Sequence, residues 1–151
     1  MPVTIALHII AAVVWVGGMF FAHQALRPAA AQTLEPPLRL QLWVQTFRRF
    51  FLWVWLSIFV LLGTGYWMMF SYFGGFAGAP MHIQLMQGLG IVMTAIYLHV
   101  FFAPYRRLRH AVVVEDYAEG ARRLAQIRKL VGLNLILGLC VIAIASAGRY
   151  L

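Results

Sequence analysis

Acidic residues are scarce in this chain of 151 residues, which has 4 Asp and Glu against 12 Lys and Arg, and charged residues make up only 11%. A soluble domain carries about 25% charged residues. Together with the 63% share of hydrophobic residues, this scarcity excludes an ordinary soluble domain and indicates a membrane protein. The single cysteine, Cys140, excludes an intrachain disulfide, and we expect it to be a small core residue.

Four long apolar segments contain no Lys, Arg, Asp or Glu, and a spanning helix needs about 20 such residues. The predicted spans are approximately residues 3–26, 50–73, 81–105 and 130–148. They favour an all-α, up-and-down four-helix bundle, a single membrane domain over residues 1–151. We expect the first helix to end at Arg27-Pro28, because proline interrupts helices. Residues 38–49 either lie at the interface or extend the second helix, and the fourth helix begins near Glu115.

Basic residues cluster in two of the connections. Eleven of the 12 lie between the first and second spans or between the third and fourth, and the remaining connection has no charge. By the positive-inside rule, the two basic connections are cytoplasmic and both termini lie outside. This pattern predicts a multi-pass protein of a bacterial inner membrane, surrounded by lipid. It does not indicate binding of nucleic acid.

Four histidines fall inside the predicted spans: His8, His23, His82 and His99. An ionisable ring in a bilayer is costly unless it meets a partner, water or a metal, and neutral imidazole is the usual ligand of haem iron. The first and third spans run in the same direction, so His8 matches His82 in depth and His23 matches His99. At helical rise, the two histidines of the first span are about 22 Å apart and those of the third span are about 25 Å apart. This match predicts bis-His ligation of one or two haem b groups between these spans.

Further residues are candidates for contact with the cofactor. Trp15 precedes Gly17-Gly18, which leave room either for close helix packing or for a porphyrin face. Arg106 on the cytoplasmic side and Arg149 outside are candidate partners of the haem propionates, although positive-inside orientation also explains basic residues. Histidines near a membrane boundary are also explained by solvation alone.

Six-coordinate iron leaves no open position, which favours electron transfer over oxygen chemistry. The sequence therefore predicts a haem-binding electron-transfer or redox protein, and leaves open whether it is an oxidoreductase enzyme. Methionines on interior faces, Met19 and Met93 among them, are alternative thioether ligands but are more often packing residues. The redox partner is not identified, and assembly into a homo-oligomer is a further expectation.

Two sequence runs carry a family resemblance. The run LHIIAAVVWVGGMFFAHQALRPA resembles the opening helix of the CopD-like copper-resistance family and the start of HemJ-type protoporphyrinogen oxidases. The run YLHVFFAPYRRLR is similar to the HemJ-type pattern near the inner end of the third helix. The resemblance implies a four-helix, haem-binding membrane protein with His8, His23 and His99 as functional residues.

The chain departs from both families. HemJ-type enzymes carry a lysine early in the third helix, where this chain reads MHIQL, and the larger copper-resistance proteins have additional spans. Two alternatives to a haem electron carrier therefore stay open. One is a HemJ-like protoporphyrinogen oxidase, and the other is CopD-like binding or transport of copper, a metal that accepts histidine and methionine ligands.

Overall fold

The computed structural model describes residues 2–150, apart from the side chain of Arg149. These residues form helices and short helical turns, without a strand. The α-helices are α1 (Pro2–Phe21), α2 (Arg27–Thr33), α3 (Pro36–Phe73), α4 (Met81–Phe102), α5 (Pro104–Val113) and α6 (Tyr117–Ala147). A π-helical turn, Ala22–Leu26, joins α1 to α2, and 3-10 turns cover Phe76–Gly78 and Gly148–Tyr150.

Four helical stretches among the described residues are long and apolar enough to cross a membrane. They are Pro2–Thr33, Pro36–Phe73, Met81–Val113 and Tyr117–Ala147. The predicted all-α protein with four spans is therefore confirmed. Each stretch is longer than its predicted span, because helix continues beyond the apolar residues at the end of the bundle that carries the basic connections. We call this the basic end, and the opposite end, where both termini lie, the terminal end.

The first span does not stop at Arg27-Pro28, and that prediction is wrong. Helix continues to Thr33 because the chain widens into the π-turn just before the proline, where the Arg27 N–H donates to the Ala22 carbonyl. Proline has no N–H and its ring clashes with the preceding turn of a regular α-helix. A local π adjustment removes that conflict and lets a spanning helix pass through proline.

The second span, α3, begins at Pro36 and runs without interruption for 38 residues. At 1.5 Å per residue it is about 57 Å long, well beyond the roughly 30 Å of the hydrocarbon core. Residues 38–49 therefore extend the second helix, one of the two predicted placements. The helix ends at Gly74, whose φ of 66° is the left-handed conformation that glycine adopts readily.

The third span bends where α4 meets α5. Ala103 lies outside helical geometry (φ −115°, ψ −87°), and Pro104 starts the next helix. The fourth span, α6, starts at Tyr117, where the Asp116 carboxylate accepts from the Glu119 N–H at 3.1 Å and caps the helix. This start agrees with the prediction that the fourth helix begins near Glu115.

Helix α6 holds the bundle together, since it contacts α1, α3, α4 and α5. Gly138 permits its approach to α1, because a Cβ added there would lie 2.8 Å from Val16 Cγ2. Helix α1 packs along α3, and Gly18 faces the ring of Phe50 there. The Gly17-Gly18 step therefore serves close helix packing through Gly18.

Cys140 is exposed on the outside of the bundle, so the prediction of a core position is wrong. The buried stripe of α6 includes Ile127, Asn134 and Gly138. Cys140 follows Gly138 by two residues and is rotated by about 200° around the helix, which turns its side chain away from the neighbouring helices.

Candidate functional site

His8 lies on the stripe of α1 that faces α3, one turn before the buried Ala11. Its Nδ1 atom is 2.8 Å from the Thr64 hydroxyl oxygen, which belongs to a residue 56 positions later in the chain. The ring also lies over Gly65, where an added Cβ would be 3.4 Å from His8 Cε1. Helix α3 therefore provides both the polar partner and the space for this imidazole.

The Thr64 hydroxyl determines which nitrogen of His8 carries the proton. Its own proton goes to the Val60 carbonyl, at an oxygen-to-oxygen distance of 2.5 Å. The hydroxyl must therefore accept from His8, so that Nδ1 is protonated and Nε2 keeps a free lone pair. A hydrogen bond to one ring nitrogen is the usual way in which a protein orients a histidine whose other nitrogen binds a metal.

His82 lies at the same end of the bundle but against a different neighbour. A Cβ added to Gly148, just after α6, would lie 2.8 Å from His82 Cβ. His8 thus contacts α3 while His82 contacts the end of α6, and their assignment as a ligand pair stays a prediction. Among the described residues, no group of three or more His, Cys, Asp or Glu side chains is arranged to hold a metal ion.

Polar and sulfur-containing side chains meet at the centre of the bundle. Asn134 is 3% exposed, and its amide nitrogen donates to the Met93 carbonyl at 3.2 Å. Its Oδ1 atom is buried and has no hydrogen-bond partner in the described part of the chain. A small cavity of about 20 Å³ is lined by Asn134, Met19 and Trp15, among others. Trp15 packs edge-on against Tyr97 of α4, at 6.3 Å between ring centroids.

A much larger cavity, of about 670 Å³, opens at the basic end between the first span, α3 and α6. We call it the basic cavity. Its polar lining comprises His23, Gln24, Arg27, Gln32, Arg39 and Arg128. Its apolar lining includes Leu40, Trp43, Phe47, Leu124, Ile127 and Val131. Cavities of about 300 to 1,000 Å³ are the size that small molecules and cofactors occupy.

His23 is part of the π-turn, and this turn directs its ring towards α6. A Cβ added to Gly132 would lie 3.0 Å from His23 Nε2, so the ring lies close against the backbone of α6 at this glycine. The Gln24 amide nitrogen lies 3.3 Å from His23 Nδ1, within hydrogen-bonding distance. Single π-turns inside helices are frequent at functional sites.

The remaining predicted site residues lie elsewhere. His99 is exposed on α4 and does not line the basic cavity that contains His23. Arg106 is exposed on α5 and is also not among the residues that line it. The side chain of Arg149 is outside the described part of the chain. The assignment of His23 and His99 as a ligand pair likewise stays a prediction.

The candidate site contains residues that the sequence interpretation missed. Thr64 and Asn134 are among the few polar residues of their apolar spans, and that scarcity was a signal in the sequence. Arg39 and Arg128 were explained by membrane orientation alone. Their convergence on His23 depends on how three helices pack, which no local pattern reports.

Comparison with known proteins adds one finding. Residues 44–147, more than half of the chain, match the family described as CopD, copper resistance protein D. The match includes His82 and His99 but begins after α1, which carries His8 and Trp15. A search of curated proteins gives no match, and a search of solved structures gives none. The extent of the family match shows that this membrane protein belongs to the copper resistance protein D family.

Proposed function

We propose that this chain binds copper as a cargo ion inside its four-helix bundle and moves it within the membrane. The observation that carries the proposal is the match of residues 44–147 to the copper resistance protein D family. Copper accepts imidazole nitrogen and thioether sulfur, and its reduced ion favours the soft sulfur ligands. The interior of the bundle offers both types.

His8 is the first ligand in this proposal. The Thr64 hydroxyl, 2.8 Å from Nδ1, leaves the Nε2 lone pair free for a metal. A transported ion needs sites that bind it well enough to admit it and loosely enough to release it. Two small and incomplete sites, one with an imidazole and one with thioethers, suit this requirement better than a closed structural site.

The centre of the bundle provides the thioethers. Met19 and Met93 are 2% and 4% exposed, and both adjoin Asn134: Met19 shares the small cavity with it, and Met93 accepts its hydrogen bond. Met19 follows His8 by 11 residues, which is about 16 Å along the helix. An imidazole and a thioether, two groups that copper accepts, are thus spaced along α1 from the terminal end to the centre of the bundle.

The basic end is a poor place for a copper cation. Arg27, Arg39 and Arg128 bring three guanidinium groups to the basic cavity around His23. Like charges repel, and the repulsion is stronger where water is excluded. We therefore assign the copper ligands to the terminal half and the centre of the bundle, and not to His23.

A copper titration of the purified full chain tests the proposal. The protein competes for cuprous ion with a chromophoric chelator, and the His8→Ala and Met19→Leu variants are compared with the unaltered chain. Each variant should bind more weakly, because each loses one of few ligands. Two exposed residues provide matched controls, His110→Ala on α5 and Met81→Leu at the start of α4, and should leave the affinity unchanged.

Two results would overturn the copper proposal. One is purified protein that binds no copper after growth with added copper salt. The other is an affinity that stays the same in both His8→Ala and Met19→Leu. Movement of copper is measured separately, in vesicles that contain the protein and an entrapped copper indicator. Binding without a protein-dependent signal inside the vesicles would limit the function to binding.

Haem b is a second candidate ligand, favoured by the size and charge of the basic cavity. His23 would be an axial ligand, and Arg27 and Arg128 would pair with the propionates. Haem would supply one-electron redox chemistry when bound. An oxidised and reduced optical spectrum of protein made with ample haem tests this candidate. A Soret band that is lost in His23→Ala and kept in His110→Ala would support it, and a colourless preparation would refute it.

A further inference from the structure

The basic cavity has a charge pattern that the copper proposal does not use. Three guanidinium groups, from Arg27, Arg39 and Arg128, and the His23 ring line it, and no carboxylate is among its lining residues. The described ion pairs both involve Glu119, with Arg122 and Arg123, so they leave the cavity's arginines unneutralised. Electrostatics therefore favours an anionic occupant.

Arg39 is the best fixed of these groups. Its Nη2 atom donates to the Leu34 carbonyl at 3.1 Å, at the corner between α2 and α3. Its Nε atom is buried and has no hydrogen-bond partner among the described residues. A guanidinium that is held by the backbone and keeps a buried, unused N–H is arranged to meet an acceptor. Phosphate oxygens are acceptors that arginine binds especially well.

Apart from Gln24 and Gln32, the rest of the lining is apolar and extends towards the membrane. The apolar lining includes Trp43 and Phe47 of α3 and Leu124 and Val131 of α6. The predicted fourth span starts at residue 130, so the apolar walls lie where the polar headgroups give way to hydrocarbon. An occupant that fills the cavity must therefore combine an anionic head with a hydrocarbon tail.

We propose that the basic cavity binds the phosphate headgroup of an acidic membrane phospholipid. The headgroup phosphate would lie among Arg27, Arg39 and Arg128, and an acyl chain would follow Trp43 and Phe47. Basic pockets between spanning helices are known to bind acidic headgroups. The proposal is independent of copper, and it favours lipid over haem, because His23 alone among the described histidines lines the cavity, so bis-His ligation of haem is not available there.

Binding of single lipid molecules to the full chain in detergent, measured by native mass spectrometry, tests this proposal. Phosphatidylglycerol, which is anionic, is compared with phosphatidylcholine, which has the same phosphate without net charge, and with inorganic phosphate. Phosphatidylglycerol should bind most tightly. The double variant Arg27→Gln/Arg128→Gln should weaken it by about 10- to 30-fold, since each arginine near an acidic headgroup contributes roughly 1 kcal/mol.

Two further variants separate this site from general surface charge. Arg107→Gln removes an exposed arginine at the same end that does not line the cavity, and should leave lipid binding unchanged. Ala121→Phe fills part of the cavity from an exposed position without changing any charge, and should weaken binding. This second variant keeps the test decisive if loss of two arginines prevents folding.

Four outcomes would overturn the proposal. Equal binding of phosphatidylglycerol and phosphatidylcholine would remove the role of charge. Tighter binding of inorganic phosphate than of either lipid would point to a soluble phosphate ligand. An equal effect of Arg107→Gln and of the double variant would indicate non-specific surface attraction. Displacement of the lipid by haem, with a Soret band that depends on His23, would assign the cavity to haem.

Discussion

The contact between His8 and Thr64 gives the sharpest test of how the bundle prepares a metal ligand. Thr64→Val replaces the hydroxyl with a methyl group of nearly the same size, so it opens no cavity. The change removes the acceptor that lies 2.8 Å from His8 Nδ1. It also removes the bond to the Val60 carbonyl, which fixes the direction of the Thr64 proton. The imidazole then loses the group that holds its proton on Nδ1.

Two magnitudes follow from the loss of this hydroxyl. Hydrogen bonds between spanning helices contribute about 0.6 kcal/mol on average and up to about 1.7 kcal/mol. The free energy of unfolding should therefore decrease by an amount in that range. Loss of a group that orients a metal ligand lowers metal affinity by about 10- to 100-fold. Because tenfold corresponds to about 1.4 kcal/mol, the loss of copper binding is about 1.4 to 2.8 kcal/mol and should exceed the average loss of stability.

Thr94→Val is the matched control. The Thr94 hydroxyl donates to the Gly90 carbonyl of its own helix at 2.9 Å and has no histidine partner among the residues that the structure describes. Both variants are assayed for cuprous-ion affinity by chelator competition and for unfolding in detergent. Thr64→Ser, which restores a hydroxyl, should recover most of the affinity. Equal copper affinity in Thr64→Val and Thr94→Val would refute the role given to the hydroxyl.

Two further predictions concern the centre of the bundle. Gly138→Ala should lower the free energy of unfolding by about 1 to 3 kcal/mol, because the new Cβ meets the stiff Val16 side chain at 2.8 Å. Gly88→Ala is the control and should be neutral, because a Cβ added there has nothing within 4 Å. A neutral Gly138→Ala in thermal unfolding would show that α1 and α6 are less tightly packed. Asn134→Leu should change the unfolding free energy by less than about 1 kcal/mol, because it removes one bond to Met93 together with an unpartnered oxygen. It should nevertheless reduce protein-dependent copper movement into vesicles, and unaltered movement would exclude Asn134 from the path.

The sequence determined the class of the protein and the number of its spans. A run of about 20 apolar residues without charge has few stable environments other than a bilayer, so its meaning does not depend on the rest of the chain. The same reasoning picked out His8 and His23 as costly residues that need a partner. The start of the fourth helix near Glu115 was also readable, since capping at Asp116 is a local interaction.

Local pattern was insufficient where two rules competed. Pro28 indicated the end of the first helix. The π-turn before it accommodates the proline ring and its lack of an N–H, so the helix continues to Thr33. Cys140 was assigned to the core from its residue type, and the rotation of α6 turns it outwards. Neither the widening of one helical turn nor the rotation of a helix about its axis is encoded in composition.

Only the tertiary structure decided which groups meet. Thr64 faces His8 across 56 positions, and Asn134 reaches Met93 across 41. Arg39 and Arg128 meet His23 in one cavity because three separate helices converge there. The apolar faces of spanning helices are chemically alike, so the sequence cannot specify by pattern alone which helix lies beside which. Interdigitation of particular side chains, such as Val16 against Gly138, sets that arrangement and with it the chemistry of the interior.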